Sequence, residues 1–138
     1  MAAFGLGPID SNQDLIIGDL SDSQDTYYIS GNLNAHHHRI TIVAKNIIVQ
    51  PGVTISGTRL KIRCNQGVFI TLGTIDTPRL RIRASEMYFG GQKSARTNNV
   101  IIDETAQQNV HYGDEAALGA IGRIAQQFAI HRFQLPNP

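Results

Sequence analysis

The feature that most restricts this chain is a chemical pattern that returns every twenty residues. RITIVA at 39–44 becomes RLKIRC at 59–64 and RLRIRA at 79–84, and a degenerate copy, NVII, follows at 99–102. An arginine opens each full copy, and apolar residues hold its second and fourth places. So short a period marks a chain wound into stacked coils, each burying its apolar side against its neighbours. Further along the coil, YYI at 27–29, IIV at 47–49, GVF at 67–69 and MYF at 87–89 align at the same spacing. Val53, Ile55 and Gly57 likewise correspond to Gly73, Ile75 and Thr77, and backwards to Leu33, Ala35 and His37.

Each coil holds about three short segments of alternating apolar and polar residues, separated by Gly, Pro, Asn, Asp or Ser, which is how strands joined by turns read. The expected fold is therefore all-β: a parallel β-helix of about four to five coils, capped by a C-terminal α-helix. Its winding should be right-handed, as parallel crossovers generally are. Stacking at ~4.8 Å places inward residues in ladders. Ile40, Leu60, Leu80 and Val100 form one, Ile42, Ile62, Ile82 and Ile102 a second, and Ala44, Cys64 and Ala84 a third, of small residues at a corner. Cys64 is the only cysteine, which excludes an internal disulfide and a four-cysteine zinc site; its expected role is core filler.

The chain of 138 residues reads as a single domain. Residues 1–18 should cap or begin the first coil, with the coils themselves over 19–105. After HYGD the pattern changes, and 114–133 reads as a helix with Asp114 as N-cap and Glu115 in its first turn. Leu118, Ile121, Ala125 and Phe128 share one face, with Ile124 beside them, and the helix is expected to lie across the last coil. Alternatively, Ala116, Gly119 and Ala120 form a small-residue surface where another chain docks. Residues 134–138 should be an irregular tail. No apolar run approaches the ~20 residues of a membrane-spanning helix. The opening MAAFGLGPID lacks the basic start and long apolar stretch of a secretory signal, so the location is left open between the cytoplasm, slightly favoured, and export by a route the sequence does not show.

The formal charge of +1 hides a strong division along the chain. Residues 1–25 hold five aspartates and no Lys or Arg, residues 26–102 hold ten Lys or Arg against Asp76 and Glu86, and residues 103–138 hold four acids and two bases. Because side chains alternate along a strand, burying the second and fourth residues of each RLKIRC-type segment turns the first, third and fifth outward. The outward grid is Arg39, Thr41 and Val43, then Arg59, Lys61 and Arg63, then Arg79, Arg81 and Arg83. Like charges on adjacent strands repel, so something should compensate. A polyanion such as nucleic acid, an acidic glycan or an anionic lipid surface would do so, as would an acidic protein, the aspartates of 10–25 folded over the grid, or solvent alone. No aromatic residue interleaves with the grid, so base-stacking platforms for single-stranded nucleic acid are lacking.

Other constellations are weaker. His36, His37 and His38 stand at an expected corner. Adjacent strand residues point to opposite sides, so at most two of them could share a metal, and the expected reading is a polar corner with no metal site. No nucleophile elbow, phosphate loop or zinc-protease motif occurs. Within the regular coils only Asp76 and Glu86 could form a carboxylate pair, and the repeat does not obviously bring them together.

The stacked RLKIRC and RLRIRA copies resemble the right-handed parallel β-helix class, over about residues 19–105. That class includes pectate-lyase-like enzymes, filamentous-haemagglutinin-like adhesins and the bactofilin polymers. The resemblance is one of fold, closest in character to the scaffold-forming groups, and it transfers no site residue. The leading expectation is a non-catalytic module, without cofactor, whose face of Arg39, Arg59, Lys61, Arg63, Arg79, Arg81 and Arg83 binds an acidic protein or polyanion. A structural protein that forms homo-oligomers through coil ends or the helix is the alternative, and an enzyme acting on acidic polysaccharide comes third.

Overall fold

Alternation of buried and exposed residues over stretches of two to six residues gives short strands, and turn residues between them bend the chain after each one. The computed structural model describes residues 3–18, 24–64, 66–90, 92–93, 99–102 and 109–128. The first pass contributes β1 (Ala3–Leu6), β2 (Ile9–Asp10) and β3 (Leu15–Ile17), and the second β4 (Thr26–Ile29), β5 (Leu33–Asn34) and β6 (Arg39–Ala44). The third contributes β7 (Asn46–Val49), β8 (Thr54–Ser56) and β9 (Arg59–Cys64), and the fourth β10 (Val68–Thr71), β11 (Thr74–Asp76) and β12 (Arg79–Arg83). The fifth contributes β13 (Glu86–Phe89), β14 (Gln92–Lys93) and β15 (Asn99–Ile102), followed by β16 (Val110–Tyr112) and the helix α1 (Asp114–Phe128).

Each pass adds one strand to each of three parallel sheets. Sheet A runs β1-β4-β7-β10-β13-β16, sheet B β2-β5-β8-β11-β14, and sheet C β3-β6-β9-β12-β15. The chain is thus a parallel β-solenoid. Its interior is a column of stacked aliphatic and aromatic side chains, among them Ile29, Leu33, Ile40, Ile42, Ile55, Leu60, Ile62, Phe69 and Ile75, all at most 1% exposed.

Sheet C carries the twenty-residue ladders. Ile40 pairs with Leu60, Leu60 with Leu80 and Leu80 with Val100, while Ile42, Ile62, Ile82 and Ile102 pair in the same way. Ala44 pairs with Cys64, which is 2% exposed and packs in the core as expected.

The other two sheets depart from the strict period. Ile47 pairs with Phe69 rather than with Gly67, and Phe69 with Met87, whereas Tyr27 does pair with Ile47. In sheet B, Ile55 pairs with Ile75 as expected, but Leu33 pairs with Ile55 rather than with Val53. The cause lies in the corners. The connection 50–53 and the link between Cys64 and Val68 are each two residues longer than their counterparts in a neighbouring turn, and shorter connections elsewhere restore the register by sheet C. Corners absorb length because they carry no ladder, whereas a slip inside a strand would turn its apolar set outward. Gly67 is required at the longer corner, since a Cβ there would collide with the Lys45 carbonyl oxygen of the turn below.

The helix corrects a second expectation. Rather than lying across the open end of the last coil, α1 packs on the outer face of sheet A against β10, β13 and β16, where Ala117, Ala120, Ile121 and Ile124 join Ile70, Leu72 and Tyr88 in a buried cluster that continues along the sheet to Ile48 and Tyr28. The buried stripe is rotated from the expected one: Leu118 is only half-buried, and alanines face the sheet. Small residues suit that side, because the bulky tyrosines and isoleucines already fill the gap between sheet and helix. The described helix ends at Phe128; the rest of the expected helix and the tail lie outside the described residues.

Candidate functional site: a basic strand face

The three outer faces of the solenoid differ in character. Sheet A is covered by α1 over β10, β13 and β16, and sheet B presents in register the row Asp10, Asn34, Ser56 and Asp76, which is polar and holds no cation. Sheet C presents the arginines. Arg39, Arg59 and Arg79 pair across β6, β9 and β12, as do Thr41, Lys61 and Arg81, and Val43, Arg63 and Arg83. The seven cations therefore stand on one face, placed by the burial of Ile40, Ile42, Leu60, Ile62, Leu80 and Ile82 beneath them. Arg39, Arg63, Arg79, Arg81 and Arg83 are exposed, and Arg59 and Lys61 half-buried, as expected where long stems lie along their neighbours. Val43 is the exception in the grid, only 2% exposed.

Asp10 and Asp14 are used differently from one expected compensation. Asp10 Oδ1 lies 2.5 Å from His36 Nε2, and Asp14 Oδ1 lies 3.7 Å from His38 Nδ1. Asp14 also accepts the backbone N–H of Arg39 at 3.0 Å, so it tethers the start of β6 without reaching a guanidinium in any ion pair between described residues. Asp19 and Asp22 lie outside the described residues. His36 adopts a left-handed backbone (φ 54°), held by its N–H donating to Asn34 Oδ1 at 3.0 Å. His36 and His38 thus face two separate carboxylates, and no group of three or more metal-ligating side chains occurs among the described residues. These pairs join residues 24 and 26 apart, longer than the repeat, because the first turn is longer than those that follow. The period therefore carried no signal for them.

Asp76 and Glu86 fall on different sheets, B and A. Glu86 accepts the Tyr88 hydroxyl proton at 2.7 Å, and Tyr88 in turn accepts from Arg123 of α1 at 3.0 Å. That network ties the helix to sheet A. Among the small residues of α1, Ala120 is buried against sheet A, Ala116 is half-buried beside it, and Gly119 is exposed.

Compared with protein-family models, curated proteins and solved structures, the chain matches none of them. No described helix is long and apolar enough to cross a membrane.

Proposed function

We propose that this β-solenoid is a non-catalytic binding module whose face of Arg39, Arg59, Lys61, Arg63, Arg79, Arg81 and Arg83 takes a linear polyanion laid across β6, β9 and β12. The carrying observation is the register of those strands, which sets cations beside cations. Neighbouring rows lie ~4.8 Å apart, and alternate residues along a strand ~6.6 Å apart. Repulsion at such spacing is relieved when one anionic chain meets several cations at once, and the forked donors of arginine suit sulfate, phosphate and carboxylate groups. The stacked backbone holds these positions in advance, so ordering costs on binding are small. Because the described outer face of sheet C carries no aromatic side chain, recognition by charge is favoured over base stacking, and an acidic glycan is the preferred ligand class.

The test is retention on immobilised heparin as salt is raised. Wild-type protein should be retained at low salt and released as screening increases. A variant carrying Arg59→Ser, Lys61→Ser and Arg81→Ser should pass through while keeping its circular dichroism spectrum. Equal retention of variant and wild type would overturn the proposal.

A second reading, self-assembly through coil ends, is favoured by two exposed aromatics. Phe4 on the edge strand β1 is 47% exposed, and Tyr112 on the opposite edge strand β16 is 69% exposed, each ending an interior ladder of sheet A. An oligomer whose mass on size exclusion is insensitive to salt would support this reading over the first.

A further inference from the structure

The outer face of sheet B holds a pocket separate from the basic face. Asp10, Asn32, Asn34, Thr54 and Ser56 line it together with Pro8 and Ile9, around a volume of about 310 Å3. That is the lower end of the ~300–1,000 Å3 usual for small-ligand sites. Strand register builds it: Asp10 pairs with Asn34 and Asn34 with Ser56 across β2, β5 and β8. Asn32 and Thr54 stand two residues before Asn34 and Ser56 and so share their face.

Among the described residues, three of these side chains are each bonded through one atom, with a second left for a ligand. Asp10 Oδ1 lies 2.5 Å from His36 Nε2, which leaves Oδ2 to accept. Asn34 Oδ1 accepts the His36 backbone N–H at 3.0 Å, and Asn32 Oδ1 accepts that of Thr54 at 2.8 Å, so both amides keep their N–H donors. Thr54 and Ser56 add hydroxyls, which donate and accept alike. The groups are thus oriented in advance, which lowers the ordering cost of binding.

We propose that this pocket binds an uncharged saccharide, one sugar ring with neighbouring hydroxyls set across Asp10, Asn34 and Ser56. A sugar hydroxyl both donates and accepts, so a neighbouring pair can donate to the carboxylate and accept from an amide at once. Pro8 and Ile9 offer apolar surface to the C–H side of the ring. An anion would meet the Asp10 carboxylate with no lysine or arginine in the lining to offset it. A hard metal cation would find a single carboxylate there, with both asparagine oxygens already bonded. The pocket lies on a different sheet from the basic face and does not rest on the reading of that face.

The experiment is titration of the full chain with the methyl glycosides of glucose, galactose and mannose, followed by backbone amide NMR shifts. At least one should give saturating shifts centred on Asn32, Asn34, Thr54 and Ser56, and the best of the three identifies the hydroxyl arrangement. Glucuronate should move those amides at least about tenfold more weakly than the best neutral sugar. Asp10→Asn keeps an oxygen for His36 and loses the second acceptor, which should weaken binding by about tenfold. Thr54→Val with Ser56→Ala should weaken it by about tenfold or more while leaving heparin retention unchanged. If that double variant fails to fold, Asp10→Asn, at an exposed position, carries the test. Four results would each overturn the proposal: no shifts with any of the three glycosides, shifts scattered beyond sheet B, wild-type affinity in Asp10→Asn, or tighter binding of glucuronate or of cationic glucosamine than of every neutral sugar. Sugar shifts with no heparin retention would leave this pocket and remove the basic face, and the reverse would leave the face and remove the pocket.

Discussion

Asn46 donates from its side-chain amide to Thr26 Oγ1 of the turn below at 3.1 Å, and its Oδ1 accepts the backbone N–H of Val68 of the turn above at 3.1 Å. One buried side chain, 4% exposed, thereby joins three successive turns at the corner where sheet C passes into sheet A. The long corner containing Gly67 rests on it, for the Asn46 oxygen lies 3.0 Å from where a Gly67 Cβ would be.

Replacing Asn46 by Ala removes both bonds and leaves the Val68 N–H without its acceptor in a poorly hydrated place. Orphaning such a group costs about 1–3 kcal/mol. Urea denaturation should show Asn46→Ala less stable by that amount with its slope unchanged. A value within experimental error of wild type would mean that the corner is held by other contacts.

Leu60 and Lys61 are neighbours with opposite fates, one fully buried and the other on the basic face. Leu60→Ala opens a cavity in the middle of the ladder and should destabilise by about 2–5 kcal/mol. Lys61→Ser removes a cation from between Thr41 and Arg81, relieving repulsion, and should change stability by less than about 0.5 kcal/mol or raise it slightly. Chemical denaturation of the two single variants checks both, and equal losses would contradict the inward and outward assignment.

Tyr88 sets an upper pH limit on the docking of α1. Burial is the largest cause raising its phenol above the ordinary value, the hydrogen bond and charge of Glu86 add to it, and Arg123 opposes them. A phenol whose folded value exceeds its unfolded value of about 10 stabilises fully below that pH, and the contribution is lost as pH rises through the folded value. Thermal melts should therefore fall in alkali above about pH 10 more steeply for wild type than for Tyr88→Phe. Arg123→Met should push the phenol higher still, read as a later ultraviolet titration. An earlier one would show that Arg123 does not face the ring oxygen.

The ladders of sheet C were legible because β6, β9 and β12 are long, their apolar places alternate without interruption, and they recur at one spacing. From Leu60 and Leu80 in contact, the outward direction of Lys61 and Arg81 followed by geometry alone. Phe69 was placed one ladder position away because two extra corner residues look, in a linear string, like part of the strand. The side of the solenoid chosen by α1 was likewise hidden: an amphipathic stripe says that a helix will bury a face, and not which of several apolar surfaces it will find. The outward apolar residues Tyr28, Ile48, Ile70 and Tyr88 of sheet A were the available signal, since a strand apolar on both faces needs a cover on each.

What the sequence alone determined is the winding of the chain and the column of cations, for both depend on periodicity, a local property repeated until it forces stacking. The tertiary structure alone decided the partners across turns: Asp10 on His36, Asp14 on His38, α1 on sheet A, and the Asn109 amide on the Ser85 carbonyl. Those meetings depend on the lengths of corners and connections. No periodic signal encodes them, because the pairing of ladders fixes the strands while leaving the chain between them free to lengthen by a residue or two.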